Sequence, residues 1–217
     1  MKGLKITVFA VCLVLALGTL AAAAVPNLEL TVPKVAKAPT IDGKLNDAAW
    51  VNASIKGGKT VVDLDNTGTS ISEYPRIAYL CWDDEALYVA YTIFAPDVTK
   101  LQAAAGSVWS NDEVEIFLDP NQKGAYTQWG IDAGDTVESS IPGREIKVAT
   151  AKSGIRWVIE VAIPWDQTGA SAPAVGDKWG LNFCGHQVAV GDMWICWNCT
   201  FGSFHNASKF GVITFGE

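Results

Sequence analysis

Two glutamates, Glu113 and Glu115, stand two positions apart in the run Trp109-Ser-Asn-Asp-Glu-Val-Glu-Ile-Phe-Leu-Asp119. On a strand they share one face at ~7 Å, and a pair of carboxyls is what glycoside hydrolysis uses. Hydrolysis needs the two to flank a bond, whereas neighbours on one strand stand side by side. The pair is therefore suited to hydrogen-bonding hydroxyls rather than to cleaving between them. Trp109 follows Ala103-Ala-Ala-Gly-Ser-Val108 and precedes the polar trio Ser110-Asn111-Asp112, at a loop-to-strand edge where an aromatic face can meet a ligand. Trp129 beside Gln128 is a second aromatic candidate. The only histidines, His186 and His205, have neither the spacing of a metal motif nor a nucleophile partner, and there is no G-x-S-x-G, H-E-x-x-H, phosphate loop or dinucleotide fingerprint. The chain is expected to bind rather than to catalyse.

Other residues suit ions or sulfur chemistry. Asp42, Asn46, Asp47, Asp83 and Asp84 are oxygen donors at turns, which is calcium chemistry, although turns favour Asp and Asn without a metal. Cys81, Cys184, Cys196 and Cys199 are expected to form disulfides, with three pairings open. The spacing Cys196-Trp197-Asn198-Cys199 has no second C-x-x-C to complete a zinc site, and Thr200 stands where haem attachment needs His.

The elements that must position these groups have a two-residue period. The strongest hairpin is Arg76–Trp82, a polar connection Asp83-Asp84-Glu85-Ala86, and Leu87–Phe94. Further strands are expected at Glu113–Leu118, Tyr126–Asp132, Glu145–Thr150, Arg156–Pro164, Trp179–Val190, Met193–Asn198 and Gly211–Phe215, with helical turns only near Leu45–Trp50 and Pro164–Ala174. Short strands without alternating helices predict an all-β antiparallel sandwich of two sheets, jelly-roll or immunoglobulin-like. Trp50, Trp82, Trp157, Trp165 and Trp179 lie in apolar patterns and are expected in its core.

Lys2 and Lys5, the apolar stretch from Ile6 to Leu17 and the small residues Ala21 to Ala24 have the order of a signal peptide over residues 1–24, which leaves one domain over residues 25–217. Export, to the extracellular or periplasmic space, follows. With those lysines removed, 14 of the 16 basic residues face 23 acidic ones, a balance that repels phosphate backbones and excludes nucleic acid as a partner. No later apolar run is long enough to span a membrane.

Four stretches, in order, resemble the family 9 carbohydrate-binding modules and their DOMON-related sandwich relatives. They are Pro39-Thr-Ile-Asp-Gly-Lys-Leu-Asn-Asp-Ala-Ala-Trp50, an opening strand and turn, Cys81-Trp-Asp-Asp-Glu-Ala-Leu-Tyr-Val89, and Trp109–Asp119. The fourth combines Trp157–Trp165 and Gly176–Phe183 with Ser208–Phe215. The resemblance implies a sandwich that holds a saccharide between two aromatic rings, often near structural calcium. It places the first ring on Trp109, the second on Phe204 next to His205, a rim carboxylate on Glu115 and a further polar contact on Asp132. An Arg and a Gln of the family fall on Gly130 and Cys184, and the second Trp of the family is Phe204 here. Related sandwiches seat haem instead, for which Met193, His186 and Lys178 are the available ligands. A calcium-stabilised surface or assembly module without a small ligand is a third reading.

Overall fold

A computed structural model describes residues 26–217; the expected signal peptide lies outside the described residues. Twelve strands and one short α-helix follow one another as β1 (Glu29–Val32), α1 (Ala48–Ile55), β2 (Lys59–Asp65), β3 (Ile71–Trp82), β4 (Ala86–Phe94), β5 (Glu113–Asp119), β6 (Thr127–Asp132), β7 (Val137–Ser139), β8 (Lys147–Ser153), β9 (Arg156–Pro164), β10 (Lys178–Gln187), β11 (Met193–Cys196) and β12 (Gly211–Phe215). The β-branched and aromatic density of β3, β4, β5 and β9 makes them strands, and β4 and β5 are buried on both faces because covers lie on their outer surfaces.

Pairing runs in one path, β7-β6-β5-β10-β11-β2-β3-β4-β9-β8. The join between β11 and β2 has only Ile195↔Asp65 and Cys196↔Leu64, and there the path folds over so that its two halves stack. All ladders on the path are antiparallel; β12 adds to β10 antiparallel and to β1 in parallel. The expected sandwich is thus one bent sheet whose inner faces share a core. Tyr91 meets Phe183 edge-on at 5.4 Å across the halves, and Trp82 and Trp165 meet Phe215 and Trp179 at 5.3 and 5.8 Å. Interdigitated aromatic pairs of this kind hold the halves in one register.

Two covers lie outside that core. On β3 and β4, α1 packs Trp50 and Ala53 over Cys81, Tyr88 and Ala90. The helix is preceded by a loop, so Pro39–Asp47 is not the opening strand the resemblance implied. What fixes the loop is Glu160 of β9, fully buried, whose carboxylate accepts Trp50 Nε1 and the backbone N–H of Gly43, both at 2.6 Å, and those of Asp42 and Lys44 at 2.9 and 3.1 Å. Gly43 allows this turn because its φ is +84° and a β-carbon there would come within 2.9 Å of Thr150 O. On the outer face of β5 and β10, Phe204 and Phe210 cover Phe117, Cys184 and Cys196.

No disulfide joins the four cysteines of the described residues, Cys81, Cys184, Cys196 and Cys199, which stand as free thiols. Cys81 belongs to the cover under α1, apart from the others, so two bridges cannot form within this fold. Cys184 and Cys196 are cross-strand partners, and the Cys196 and Cys199 thiols both approach Asp65 O, at 4.0 and 3.9 Å.

Candidate functional site

Four strands, β6, β5, β10 and β11, present one row of residues on their outer face: Gly130↔Glu115↔Cys184↔Cys196. Glu115 of this row, with Gln128, lies in the floor of a cavity of about 370 Å³. Trp109, on a single 3₁₀ turn (Val108–Ser110) just before β5, stands over the Gly130 end. Phe204 and His205 of the Phe201–Phe210 segment line the cavity from above, and Trp194 of β11 lines it at the other end. Gln128, Asn66 and Ser203 add polar groups to the lining.

The floor is electrostatically unusual. Gln128 Nε2 donates to Glu115 Oε2, and Glu115 is only 2 % exposed. Burial pushes its pKa up to about 7, against the hydrogen bonds from Gln128 and Glu113 and the charge of Arg76. Glu113, fully buried beside it, accepts the His186 N–H on Oε1 at 2.7 Å; burial first, then the charge of Glu115, raises its pKa well above the carboxylate range. Glu113 Oε2 has no hydrogen-bond partner. Behind both lies Arg76, 2 % exposed, whose Nη2 donates to His186 O at 2.8 Å.

The structure therefore brings together Trp109, Glu115, Phe204 and His205, as the sequence expected. Trp129 is not with them. Strand alternation turns Gln128 and Gly130 to the slot and Trp129 to the main core, where it is fully buried and its Nε1 donates to Arg144 O at 3.2 Å. Asp132 lies outside the cavity lining and is spent on its own turn. Its Oδ2 accepts Asn111 Nδ2 at 2.7 Å, and its Oδ1 accepts the N–H groups of Gly134 and Thr136 at 2.8 and 2.9 Å. Trp194, Gln128 and Asn66 were not foreseen. The turn at Gly191-Asp192 was the available signal, because closing a hairpin there sets His186 opposite Trp194.

The carboxylates assigned to calcium hold turns instead. Asp47 accepts Thr40 N–H, Asp42 accepts Lys44 N–H, Asp83 accepts the N–H groups of Glu85 and Ala86 and the Tyr88 hydroxyl, and Asp84 pairs with Lys34 at 2.6 Å. Among the described residues no group of three His, Cys, Asp or Glu side chains converges as a metal site. Nor do the haem candidates converge: Lys178 and His186 sit at opposite ends of β10, ~26 Å apart along the strand, and His186 Nε2 is bonded to Asp192.

A bent-sheet sandwich with an aromatic-walled, polar-floored slot defines a small-ligand binding module. Among solved structures, the fold is similar to a family 9 carbohydrate-binding module from Caldicellulosiruptor kristjanssonii in complex with cellotriose (TM-score 0.70, 21 % identity, 87 % of this chain and 93 % of that one). The same organism's module in complex with glucose matches at TM-score 0.70 and 21 % identity, over 87 % of this chain and 96 % of that one. A putative carbohydrate-binding protein from Bacteroides uniformis matches at TM-score 0.69 and 15 % identity, over 88 % and 100 %. The search of curated proteins gave no match. Residues 41–217 match the carbohydrate family 9 binding domain-like family, and the chain belongs to it.

Proposed function

We propose that the chain is a non-catalytic module that holds a neutral saccharide in the slot over β5 and β10. The observation that carries this reading is that an aromatic ring and a carboxyl, Trp109 and Glu115, meet in one cavity of about 370 Å³, large enough for one or two sugar rings. A pyranose presents C–H patches on its faces and hydroxyls on its rim. Trp109 takes a face, while Glu115 and Gln128 take the rim. No lysine or arginine lines the cavity among the described residues to pair with an anion, so the slot suits an uncharged sugar. Cleavage is unsupported because, among the described residues, Glu115 is the only carboxyl in the lining and Glu113 lies buried beside it rather than across a bond. The complexes of the similar modules with cellotriose and glucose make glucans the first ligands to try. Export by the leader of residues 1–24 would place the module where polysaccharides are met. The test is a glycan array read with the purified protein, followed by calorimetric titration of the neutral oligosaccharides it retains. Retention of neutral glycans over uronic-acid-containing ones supports the reading, and failure to retain any removes it.

A further inference from the structure

Trp194 on β11 stands directly across from His186 on β10, and its indole lies flat on the imidazole, with ring centroids 3.9 Å apart and planes 8° from parallel. His186 is held from three sides: Nε2 is bonded to Asp192 Oδ1 at 2.7 Å, its N–H donates to Glu113 Oε1 at 2.7 Å, and its carbonyl accepts Arg76 Nη2 at 2.8 Å. One indole face is thereby covered. Trp194 is 38 % exposed and lines the slot, with Phe204 meeting the ring at 5.8 Å and 64°.

Phe204 is a poor wall by comparison. It is 7 % exposed and packs edge-on against Phe117, so most of its surface is already spent in the outer cover. A large aromatic left open to a slot and locked by a cross-strand partner loses little freedom when a sugar stacks on it. Glu115, on β5 between the two tryptophans, lines the slot with Gln128.

Resting on the saccharide reading above, we propose that Trp194 is the wall of the slot facing Trp109, and that His186, clamped by Asp192, is the residue that positions it. The sandwich is then built across the sheet, from the turn before β5 to β11, with Gly130 and β11 three strand spacings or ~14 Å apart. Phe204 braces Trp194 from the side.

The experiment titrates the parent, Trp109→Ala, Trp194→Ala, Phe204→Leu, His186→Ala and His186→Phe with cellotriose and with each neutral oligosaccharide the parent retains on the array, and records near-ultraviolet circular dichroism of each. Trp194→Ala should weaken binding more than tenfold and Phe204→Leu less than threefold. His186→Ala should weaken it several-fold and change the near-ultraviolet bands of the stacked indole, and His186→Phe, which restores a flat partner, should recover both. If Trp194→Ala binds as the parent does while Trp109→Ala does not, the second wall lies elsewhere and the saccharide reading stands. If His186→Ala matches the parent in both readouts, the positioning role is wrong. A parent that binds no sugar overturns the wall and the saccharide reading together.

Discussion

The Trp109 indole lies over Gly130 so closely that a β-carbon on Gly130 would come within 2.6 Å of its Cζ3 and 3.0 Å of its Cη2. The same β-carbon would meet Val108 Cγ1 at 2.9 Å, so the 3₁₀ turn that bears Trp109 is seated on this glycine. An arginine at this position, as the family resemblance implied, is incompatible with the tryptophan where it stands. Gly130→Ala should leave the fold intact and push Trp109 off its seat, weakening saccharide binding about tenfold, ~1.4 kcal/mol. Titration alongside far-ultraviolet circular dichroism checks this, and unaltered affinity would show that the contact does not position the ring.

Glu160 is the second load on a single residue. Four donors converge on its buried carboxylate, and Glu160→Ala leaves them unpaired under the Pro39–Trp50 cover. Hydrogen bonds to a charged group contribute ~1.5–3 kcal/mol each, and partial rehydration recovers some, so a loss of about 3 kcal/mol and a fall in Tm of ~6–12 °C are expected. The slot is on the other half of the sheet, and ligand affinity at a temperature where the variant is folded should not change. Thermal melts with and without ligand separate the two effects.

Stability should also depend on pH through the slot floor. The Glu115 pKa is raised in the fold, to about 7 from its ordinary 4.5, by burial first. Its contribution is therefore fully present below about pH 4.5 and is lost as pH rises through 7. Glu113 is shifted in the same direction. Asp65 works oppositely but at lower pH: hydrogen bonds from Thr67, Ser70 and Thr69 outweigh its desolvation and depress it to about 2, so its contribution is lost only as pH falls through about 2. Tm is expected to decline between pH 5.5 and 8, and Glu115→Gln should flatten that slope. A parent whose Tm rises over this interval would contradict the assignment.

Cys81 should remain a free thiol even in exported protein. It is buried beneath α1, away from the other three, and burial, with a smaller effect of Asp83, pushes its pKa up to about 12. Alkylation of the native protein should spare it and alkylation after unfolding should label it, as mass spectrometry of the tryptic peptides would show. Any disulfide must come from Cys184, Cys196 and Cys199, and finding Cys81 in a bridge would contradict the packing under α1.

Much of the frame was legible because strand periodicity and turn residues act locally. The hairpin of β3 and β4, strand β9 and strand β12 fall where alternation and the turn at Asp83-Asp84 put them. Strands β1, β2 and β7 were missed: they are short or largely polar, and β1 gains its order from the distant β12, β2 and β7 from hairpin ladders with β3 and β6. In the site, Trp109 and Glu115 were legible from position and resemblance. Trp194 was not, because its role depends on the register across β10 and β11, and the sequence reading extended the first of those strands to Val190 where it ends at Gln187. Trp129 was misplaced by one residue of alternation, which on a strand exchanges slot for core. The disulfide expectation counted cysteines without their positions; the fold sets Cys81 on one half of the sheet and Cys184 and Cys196 on the other.

The most direct test of the central claim is calorimetric titration of the parent and Trp109→Ala with the tightest neutral oligosaccharide found, at a pH where both are folded. Trp109 contributes a ring face that no neighbouring residue replaces, so the account predicts that the variant keeps the parent's circular dichroism spectrum and loses at least tenfold in affinity. A variant that binds that oligosaccharide as tightly as the parent would contradict the account and place the ligand outside this slot.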